Sequence, residues 1–261
     1  MERLTRIGER FQQLKRDGRK GFVGFITAGD PSLDRSVEIA LEMDKAGVDV
    51  LELGVPFSDP LADGPVIQRS SQRALERGVT LKDVLGAVRR IRSRSEIPIV
   101  LFGYYNPFLR YGLERFAGDA REAGVDGSLV TDLPPDEAAE WLKVARGRDL
   151  DTVFLAAPTS PPPRLRAVAE ASRGFVYAVS RTGVTGERER LSEDAAPLVA
   201  SLKQHTALPV ALGFGIARPD QVAAAEQVAD AVVVGTALVR FIEEEPDGDV
   251  AGKVKWLKGT T

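Results

Sequence analysis

The chain has 261 residues, of which 43% are hydrophobic and 28% charged, a balance typical of folded globular proteins and not of disordered ones. Its 35 Lys and Arg nearly balance its 38 Asp and Glu, and the net charge of −3 argues against a nucleic acid or an anionic membrane as partner. The absence of Cys excludes disulfides and thiolate chemistry, and the single His, His205, excludes a multi-histidine metal centre.

The amino-terminal residues mix charged and apolar side chains at helical spacing, and the stretch Glu2–Lys15 is predicted to form a helix. It contains no apolar run long enough for a signal peptide or a membrane span. We therefore expect a cytoplasmic protein.

Short apolar, β-branched runs then alternate with amphipathic stretches along the rest of the chain. The runs predict eight strands, at residues 22–27, 48–53, 97–102, 127–131, 152–156, 175–179, 210–212 and 231–234. The stretches between them predict helices at residues 32–46, 81–93, 113–123, 136–145, 163–171, 195–203 and 219–228. Because these strands are continuously apolar, they are expected to be buried on both faces, as in a parallel sheet.

Eight strand–helix units at roughly 30-residue spacing favour an α/β fold of the (β/α)8 barrel type, a TIM barrel. The alternative is a doubly wound open sheet, but the turn after the first strand, residues 28–31, lacks the G-x-G-x-x-G spacing usual there. No Ser/Gly-rich linker interrupts the chain, so residues 1–261 are predicted to form one domain. The extra amino-terminal helix would then close the bottom face of the barrel.

A carboxylate stands where the second apolar run ends. Side chains alternate along a strand, so Glu52 shares a face with Val48 and Val50. If that face is the barrel interior, Glu52 lies at the mouth, where barrels of this fold carry their active sites. The alternative is that Glu52 faces outward and pairs with a helix arginine.

The next segment, residues 54–65, is too rich in Pro and Gly to be a helix or a strand, and it presents two more acids, Asp59 and Asp63. No Lys stands at the end of a predicted strand, which argues against Schiff-base chemistry. Asp30 and Asp132 also follow strands, but these loops have no recognisable metal-ligand spacing. Acid–base catalysis by Glu52 with Asp63 is the simpler interpretation.

Glycine-rich turns follow the last three strands, at residues 180–186, 213–216 and 235–237. Barrel closure places these turns side by side, and a helix beginning at Gly235 would direct its positive end toward the same point. The arrangement predicts a phosphate site, although glycines at strand ends also have purely structural uses.

The segment 51–65, LELGVPFSDPLADGP, closely resembles the signature of the tryptophan synthase alpha subunit family. Residues 25–31, 180–186 and 213–216 match further motifs of that family in the same order and spacing. The resemblance spans nearly the whole chain, from about residue 1 to residue 243. It implies a TIM barrel that cleaves indole-3-glycerol phosphate to indole and glyceraldehyde 3-phosphate, without a metal or an organic cofactor in this chain.

The resemblance also implies a partner, a pyridoxal-phosphate-dependent beta subunit that receives the indole through a tunnel in an α2β2 assembly. By the family pattern Glu52 is the catalytic acid/base, and Asp63 is the second catalytic acid, holding the indole N–H as an anion. We expect the loops 56–65 and 183–191 to close over the substrate, with Thr185 bonded to Asp63.

The remaining site residues carried over by the resemblance fall into three groups. The positions around the substrate are Phe25, Tyr104, Leu129, Leu155, Tyr177 and Thr185; Tyr177 has barrel packing as its alternative role. The phosphate positions are Gly186, Gly215, Gly235 and Thr236. The expected contacts with the beta subunit are Asp59, Asn106, Pro107 and Asp132.

Two rival functions differ from this expectation. Another phosphosugar-handling barrel, an isomerase or epimerase, would use Glu52 to abstract a proton from carbon, and a substrate assay separates the two. A non-catalytic relative would keep the barrel and only bind a partner or a phosphate ligand, but the presence of both Glu52 and Asp63 argues against it.

Overall fold

A computed structural model describes residues 4–179, 193–213 and 215–260 of the chain. Its centre is a ring of parallel strands in the order β5-β4-β3-β2-β1-β9-β8-β7-β6. The strands are β1 Gly21–Thr27, β2 Val50–Gly54, β3 Ile99–Gly103, β4 Gly127–Val130, β5 Asp151–Val153, β6 Leu155–Ala156, β7 Val176–Val179, β8 Val210–Gly213 and β9 Ala231–Val234. The predicted TIM barrel is confirmed.

The fifth barrel strand is divided into two short strands at Phe154. Its first part, β5, bonds to β4, and its second part, β6, bonds to β7. Between them the Phe154 carbonyl accepts a hydrogen bond of 3.1 Å from the Tyr177 amide. The two edge strands, β5 and β6, are therefore consecutive parts of one barrel strand, and the nine short strands form an eight-stranded barrel.

Helices surround this ring, and their apolar faces cover the outer side of the strands. In the described residues they are α1 Arg6–Arg16, α2 Leu33–Lys45, α3 Pro65–Glu76, α4 Leu81–Arg92, α5 Tyr105–Tyr111, α6 Leu113–Ala123, α7 Ala139–Gly147, α8 Pro162–Ala171, α9 Ala195–Lys203, α10 Pro219–Glu226, α11 Thr236–Glu244 and α12 Val250–Leu257. One apolar cluster fills the space between strands and helices, and a second fills the barrel interior. No helix in the described ranges is long and apolar enough to cross a membrane.

Helix α1 lies across the bottom of the barrel, as the sequence predicted. Its buried residues Ile7, Phe11 and Leu14 belong to the interior cluster, and the Phe11 ring lies 5.7 Å from that of Phe175. The Thr5 hydroxyl at its N-cap bonds the buried carboxylate of Asp151. The interior is thus closed from below by apolar side chains.

The repeated sequence Ala-Gly-Val-Asp at residues 46–49 and 123–126 has one structural use at both places. Its glycines, Gly47 and Gly124, take positive φ angles of 84° and 96°, which a residue with a side chain rarely adopts. Its aspartates accept hydrogen bonds from the start of the preceding strand. The Asp49 carboxylate accepts a hydrogen bond of 2.8 Å from the Phe22 amide, and the Asp126 carboxylate accepts one of 2.9 Å from the Ile99 amide.

The structure corrects the predicted elements in two ways, by three additional helices and by two shifted starts. Helices α3, α5 and α12 were not predicted, and residues 105–107, interpreted as a turn, begin helix α5. The second strand begins at Val50, two residues later than predicted, because Asp49 caps the neighbouring strand. Helix α1 begins at Arg6, after Thr5.

Candidate active site

Glu52 lies inside the barrel near the carboxyl end of β2. It pairs in register with Phe25 on β1 and with Val100 on β3, both members of the interior cluster, and it is 1% exposed. Burial in these apolar surroundings raises its pKa to about 8, because the charged form loses its hydration. Of the two orientations that strand alternation left open, the structure shows the inward one, and at neutral pH Glu52 is mainly a neutral acid.

Asp63 reaches the same mouth from the loop between β2 and α3, and it is also buried. Its Oδ2 accepts a hydrogen bond of 3.0 Å from the Tyr104 hydroxyl, which itself accepts one of 3.0 Å from the Ala62 amide. Burial raises the Asp63 pKa to about 6, and the bond from Tyr104 opposes that rise. Asp63 is therefore mainly an anion at neutral pH.

Each acid keeps one buried oxygen, Oε1 of Glu52 and Oδ1 of Asp63, that has no hydrogen-bond partner within the described part of the chain. A buried polar atom of this kind is costly unless something satisfies it. Tyr177 lies near both acids; burial raises the pKa of its phenol, and each carboxyl group raises it further when ionised. The two carboxyl groups thus share one neighbourhood and have free acceptor capacity there.

A pocket opens beside Glu52 at the carboxyl ends of the strands. Glycines and a helix start lie along one side of it, and apolar side chains line the rest. The lining residues are Phe25, Glu52, Ile67, Phe102, Tyr177, Gly215, Ile216, Val233, Gly235 and Thr236. Six of these ten were predicted as site residues.

The other four, Ile67, Phe102, Ile216 and Val233, were not predicted as site residues. Phe102 and Val233 stand on the inward face of their strands, so alternation along the strand was a usable signal for them. Ile67 belongs to α3, which was not predicted, and no sequence signal placed it here.

Two strand-end glycines give room to the aromatic rings of the site. A Cβ on Gly54 would lie 2.7 Å from the Phe25 ring, and one on Gly213 would lie 2.2 Å from the Tyr177 hydroxyl. Gly213 was predicted as part of a phosphate turn, and its structural use is to accommodate Tyr177. The Phe25 ring is held further by an edge contact to Phe102, with centroids 5.1 Å apart.

The candidate phosphate end lies at the start of α11. Gly235 is the N-cap of this helix, and Thr236 is its first residue, so the positive end of the helix dipole faces the pocket. Gly215 stands beside them with φ at +82°, a conformation suited to glycine. The fourth predicted phosphate residue, Gly186, lies outside the described residues, as does Thr185, which was predicted as a substrate contact bonded to Asp63.

Two predicted substrate positions lie in the interior cluster and outside the immediate lining of the pocket. Leu129 is fully buried on β4 and pairs with Phe102, and the partly buried Leu155 on β6 pairs with Tyr177. Tyr104 also lies outside the immediate lining of the pocket; it bonds Asp63, and its ring packs on Phe57 with centroids 5.0 Å apart.

The four residues predicted to contact a partner lie on the same end of the barrel as the pocket. Asp59 is exposed in the loop that carries Asp63, and Asn106 and Pro107 are in the first turn of α5. The exposed Asp132 caps that helix by accepting the Tyr105 amide at 2.7 Å. In the described ranges, no three His, Asp or Glu side chains converge as a metal site.

The fold defines the chain as a (β/α)8 barrel whose pocket lies where enzymes of this fold hold their substrates. A family model described as tryptophan synthase alpha chain matches residues 11–258, and the chain belongs to this family. It is an enzyme, a lyase of tryptophan biosynthesis, and the reaction of the family is cleavage of indole-3-glycerol phosphate to indole and glyceraldehyde 3-phosphate.

Similar proteins agree with this assignment over nearly their whole length. The chain is 52% identical to the tryptophan synthase alpha chain of Solibacter usitatus over 244 residues, which is 94% of this chain and 91% of the relative. A solved Mycobacterium tuberculosis tryptophan synthase superposes with a TM-score of 0.92 at 40% identity, covering 98% of each chain. A structure described as the Pyrococcus furiosus tryptophan synthase a2b2 complex superposes with a TM-score of 0.86 at 40% identity, covering 92% and 98%.

Proposed function

We propose that Glu52 transfers the protons in the cleavage of indole-3-glycerol phosphate and that Asp63 stabilises the positive charge that develops on the indole ring. The observation that carries the proposal is the pair of buried carboxyl groups, both near Tyr177, with pKa values of about 8 for Glu52 and about 6 for Asp63. At pH 7 this pair is mainly in one state, a neutral Glu52 beside an anionic Asp63. The reaction requires that state.

The bond between indole C3 and the glycerol chain can break only after C3 has been protonated. Glu52 donates this proton, and the ring becomes an indolenine cation whose N–H is held by the Asp63 carboxylate. The C3–C3′ bond then breaks, and its electron pair restores the indole ring. The C3′ hydroxyl loses its proton to the Glu52 carboxylate and becomes the aldehyde of glyceraldehyde 3-phosphate, so the acid is regenerated in the same cycle.

The substrate would lie with its ring among the aromatic and aliphatic side chains and its phosphate at the start of α11. Flat apolar surface suits an indole, and Phe25, Tyr104, Leu129, Leu155 and Tyr177 supply it around the two acids. Backbone N–H groups at a helix start suit a phosphate, and Gly215, Gly235 and Thr236 meet there. The roles of Thr185 and Gly186 stay predictions.

We also propose a beta subunit as partner, one that carries pyridoxal phosphate and joins this chain in an α2β2 assembly; this chain itself would need no cofactor. Support comes from the pocket end of the barrel, where Leu61 is 86% exposed and Leu109 is 49% exposed. Exposed apolar side chains beside the polar groups Asp59, Asn106 and Asp132 form the kind of surface that a protein partner covers. A cytoplasmic location and a single domain spanning the whole chain complete the proposal.

The test is indole release by the purified chain carrying Glu52→Gln or Asp63→Asn. Each substitution keeps the side-chain size and removes the proton-transferring or charged group, so we expect turnover to fall by roughly 10²-fold or more. Glu38→Gln and Asp34→Asn, at exposed surface ion pairs, are the matched controls and should leave turnover unchanged. Circular dichroism checks the fold. Turnover of either site variant within threefold of the unsubstituted chain would overturn the proposal.

A further inference from the structure

A cluster of four charged side chains, the Arg73 cluster, lies outside the groups that the reaction uses. It consists of Asp30, Arg69, Arg73 and Glu243. The Arg73 guanidinium donates two hydrogen bonds to the Asp30 carboxylate, at 2.8 and 2.6 Å, and a third to Glu243 at 2.7 Å. Arg69 donates two more to Glu243, at 2.8 and 2.6 Å.

The cluster joins three elements that carry parts of the site. Asp30 follows the end of β1, the strand of Phe25. Arg73 stands in α3, which begins at Pro65 directly after Asp63 and Gly64. Glu243 stands in α11, which begins at the proposed phosphate position Gly235.

Both helices are joined at the ends that lie away from the pocket. Arg73 is eight residues beyond the start of α3, about 12 Å along the axis, and Glu243 is seven residues beyond the start of α11, about 10 Å along it. The two helices pack against each other, and their first turns reach the pocket through Ile67 and Thr236. Because a packed helix moves as a unit, fixing the far ends fixes the near ends.

Helix α3 is also bonded to the loop that carries Asp63. The side-chain amide of Gln68 donates to the Asp63 carbonyl at 2.8 Å, one turn into the helix. A shift of α3 would therefore move Asp63 directly, and with it the anion that the proposed reaction needs.

We propose that Arg73 is a positioning residue for the reaction, which holds α3 against α11 and so sets Asp63 relative to the phosphate-binding turn. It touches no reacting atom and acts through the two helices. The guanidinium suits this use because its planar fork bonds one carboxylate in two places and still reaches a second. The inference rests on the proposed roles of Asp63 and Gly235.

The test compares steady-state kinetics of Arg73→Met and Glu243→Ala with those of the unsubstituted chain. Small displacements of catalytic groups are costly, so we expect kcat/KM to fall between about tenfold and 100-fold, with kcat falling and KM rising. We also expect the acid limb of the pH profile to move to lower pH, because a loosened loop hydrates Asp63 and removes the burial that raises its pKa. Arg73→Lys, whose ammonium is a single point charge, should recover only part of the activity.

Glu243→Ala and one surface control distinguish a positioning role from misfolding. Arg73→Met leaves the buried Asp30 without its partner and risks misfolding, whereas Glu243→Ala cuts the link between the helices and leaves the Asp30–Arg73 pair intact. Arg90→Met removes a surface ion pair on α4 of the same residue types, with Asp34, and should leave every parameter unchanged.

The outcomes separate this inference from the proposed function. If Asp63→Asn is inactive but Arg73→Met and Glu243→Ala only lower the melting temperature, with kcat, KM and the acid limb unmoved, the cluster is structural and the inference is overturned. If Asp63→Asn retains its turnover, the proposed function itself fails. Loss of kcat together with the acid-limb shift in Glu243→Ala supports the positioning role.

Discussion

The pKa values of Asp63 and Glu52 predict how kcat/KM for cleavage depends on pH, and the hydrogen bond from Tyr104 to Asp63 allows that prediction to be tested. The active state needs Asp63 ionised and Glu52 protonated, so kcat/KM should fall below about pH 6, where Asp63 gains a proton, and above about pH 8, where Glu52 loses one. At pH 7 each group is about nine-tenths in the required form, and about four-fifths of the molecules are in the active state. At pH 5 or pH 9 that share is about tenfold smaller than the maximum.

The substitution Tyr104→Phe removes the hydroxyl that opposes the effect of burial on Asp63, so the Asp63 pKa should rise. A hydrogen bond to a charged group contributes about 1.5 kcal/mol at the lower end of its usual range, which corresponds to roughly one pKa unit. The acid limb should therefore move from about 6 toward roughly 7. Activity should then be lower by about fivefold at pH 6 and by about twofold at pH 7, and the alkaline limb, set by Glu52, should stay in place.

The assay is indole release across pH 5 to 9 at subsaturating substrate, which reports kcat/KM and thus the groups of the free enzyme. Tyr111→Phe is the matched control, since it removes a tyrosine–aspartate hydrogen bond of 2.6 Å, to Asp119, far from the pocket. Its profile should coincide with that of the unsubstituted chain. An acid limb in Tyr104→Phe that stays in place or moves down would refute the reasoning, because Asp63 would then not be the group that titrates there.

Three other substitutions test the remaining parts of the molecule. Phe11→Ala should lower the free energy of unfolding by about 3 kcal/mol in urea titrations, because it opens a cavity under the barrel; a loss below about 1 kcal/mol would contradict the packing. Gly235→Val should raise the substrate KM by about tenfold, because its side chain would extend toward Phe25 and fill the phosphate end of the pocket. An unchanged KM would exclude that site. Asp59→Ala should reduce stimulation by the beta subunit more than isolated turnover, and equal losses in both assays would speak against its contact role.

Periodicity was sufficient to predict most of the fold. The apolar runs located the barrel strands, and alternation along β2 put Glu52 on one face with Val48 and Val50 without deciding whether that face is the interior; the family resemblance favoured the interior. Helix α3 was missed because buried Ser70 and Ser71 interrupt its apolar face and because it follows a loop rich in Pro and Gly. Helix α5 was missed because it is only seven residues long and contains Pro107, which usually signals a turn.

The features of the site that the sequence did not predict were missed for a different physical reason. The motif identified both acids, but the bonds of Tyr104 to Asp63 and to the Ala62 amide depend on how the loop folds back over β3, which no local pattern encodes. The same holds for Gly213, whose spacing predicted a phosphate turn, while the neighbouring Tyr177 ring is what requires a glycine there. Long-range contacts of this kind become visible only in three dimensions.

The interruption at Phe154 divides the ring into two arcs. Strands β1 to β5 form one unbroken ladder and β6 to β9 form another, and laterally the arcs are joined by the ladder between β1 and β9. On the opposite side the arcs are linked covalently through Phe154, whose carbonyl also accepts the hydrogen bond from the Tyr177 amide. A chain cut in two near that point would thus yield a five-stranded and a four-stranded piece, each with its hydrogen-bonded ladder complete, and their reassembly would depend on one remaining edge and the shared apolar interior.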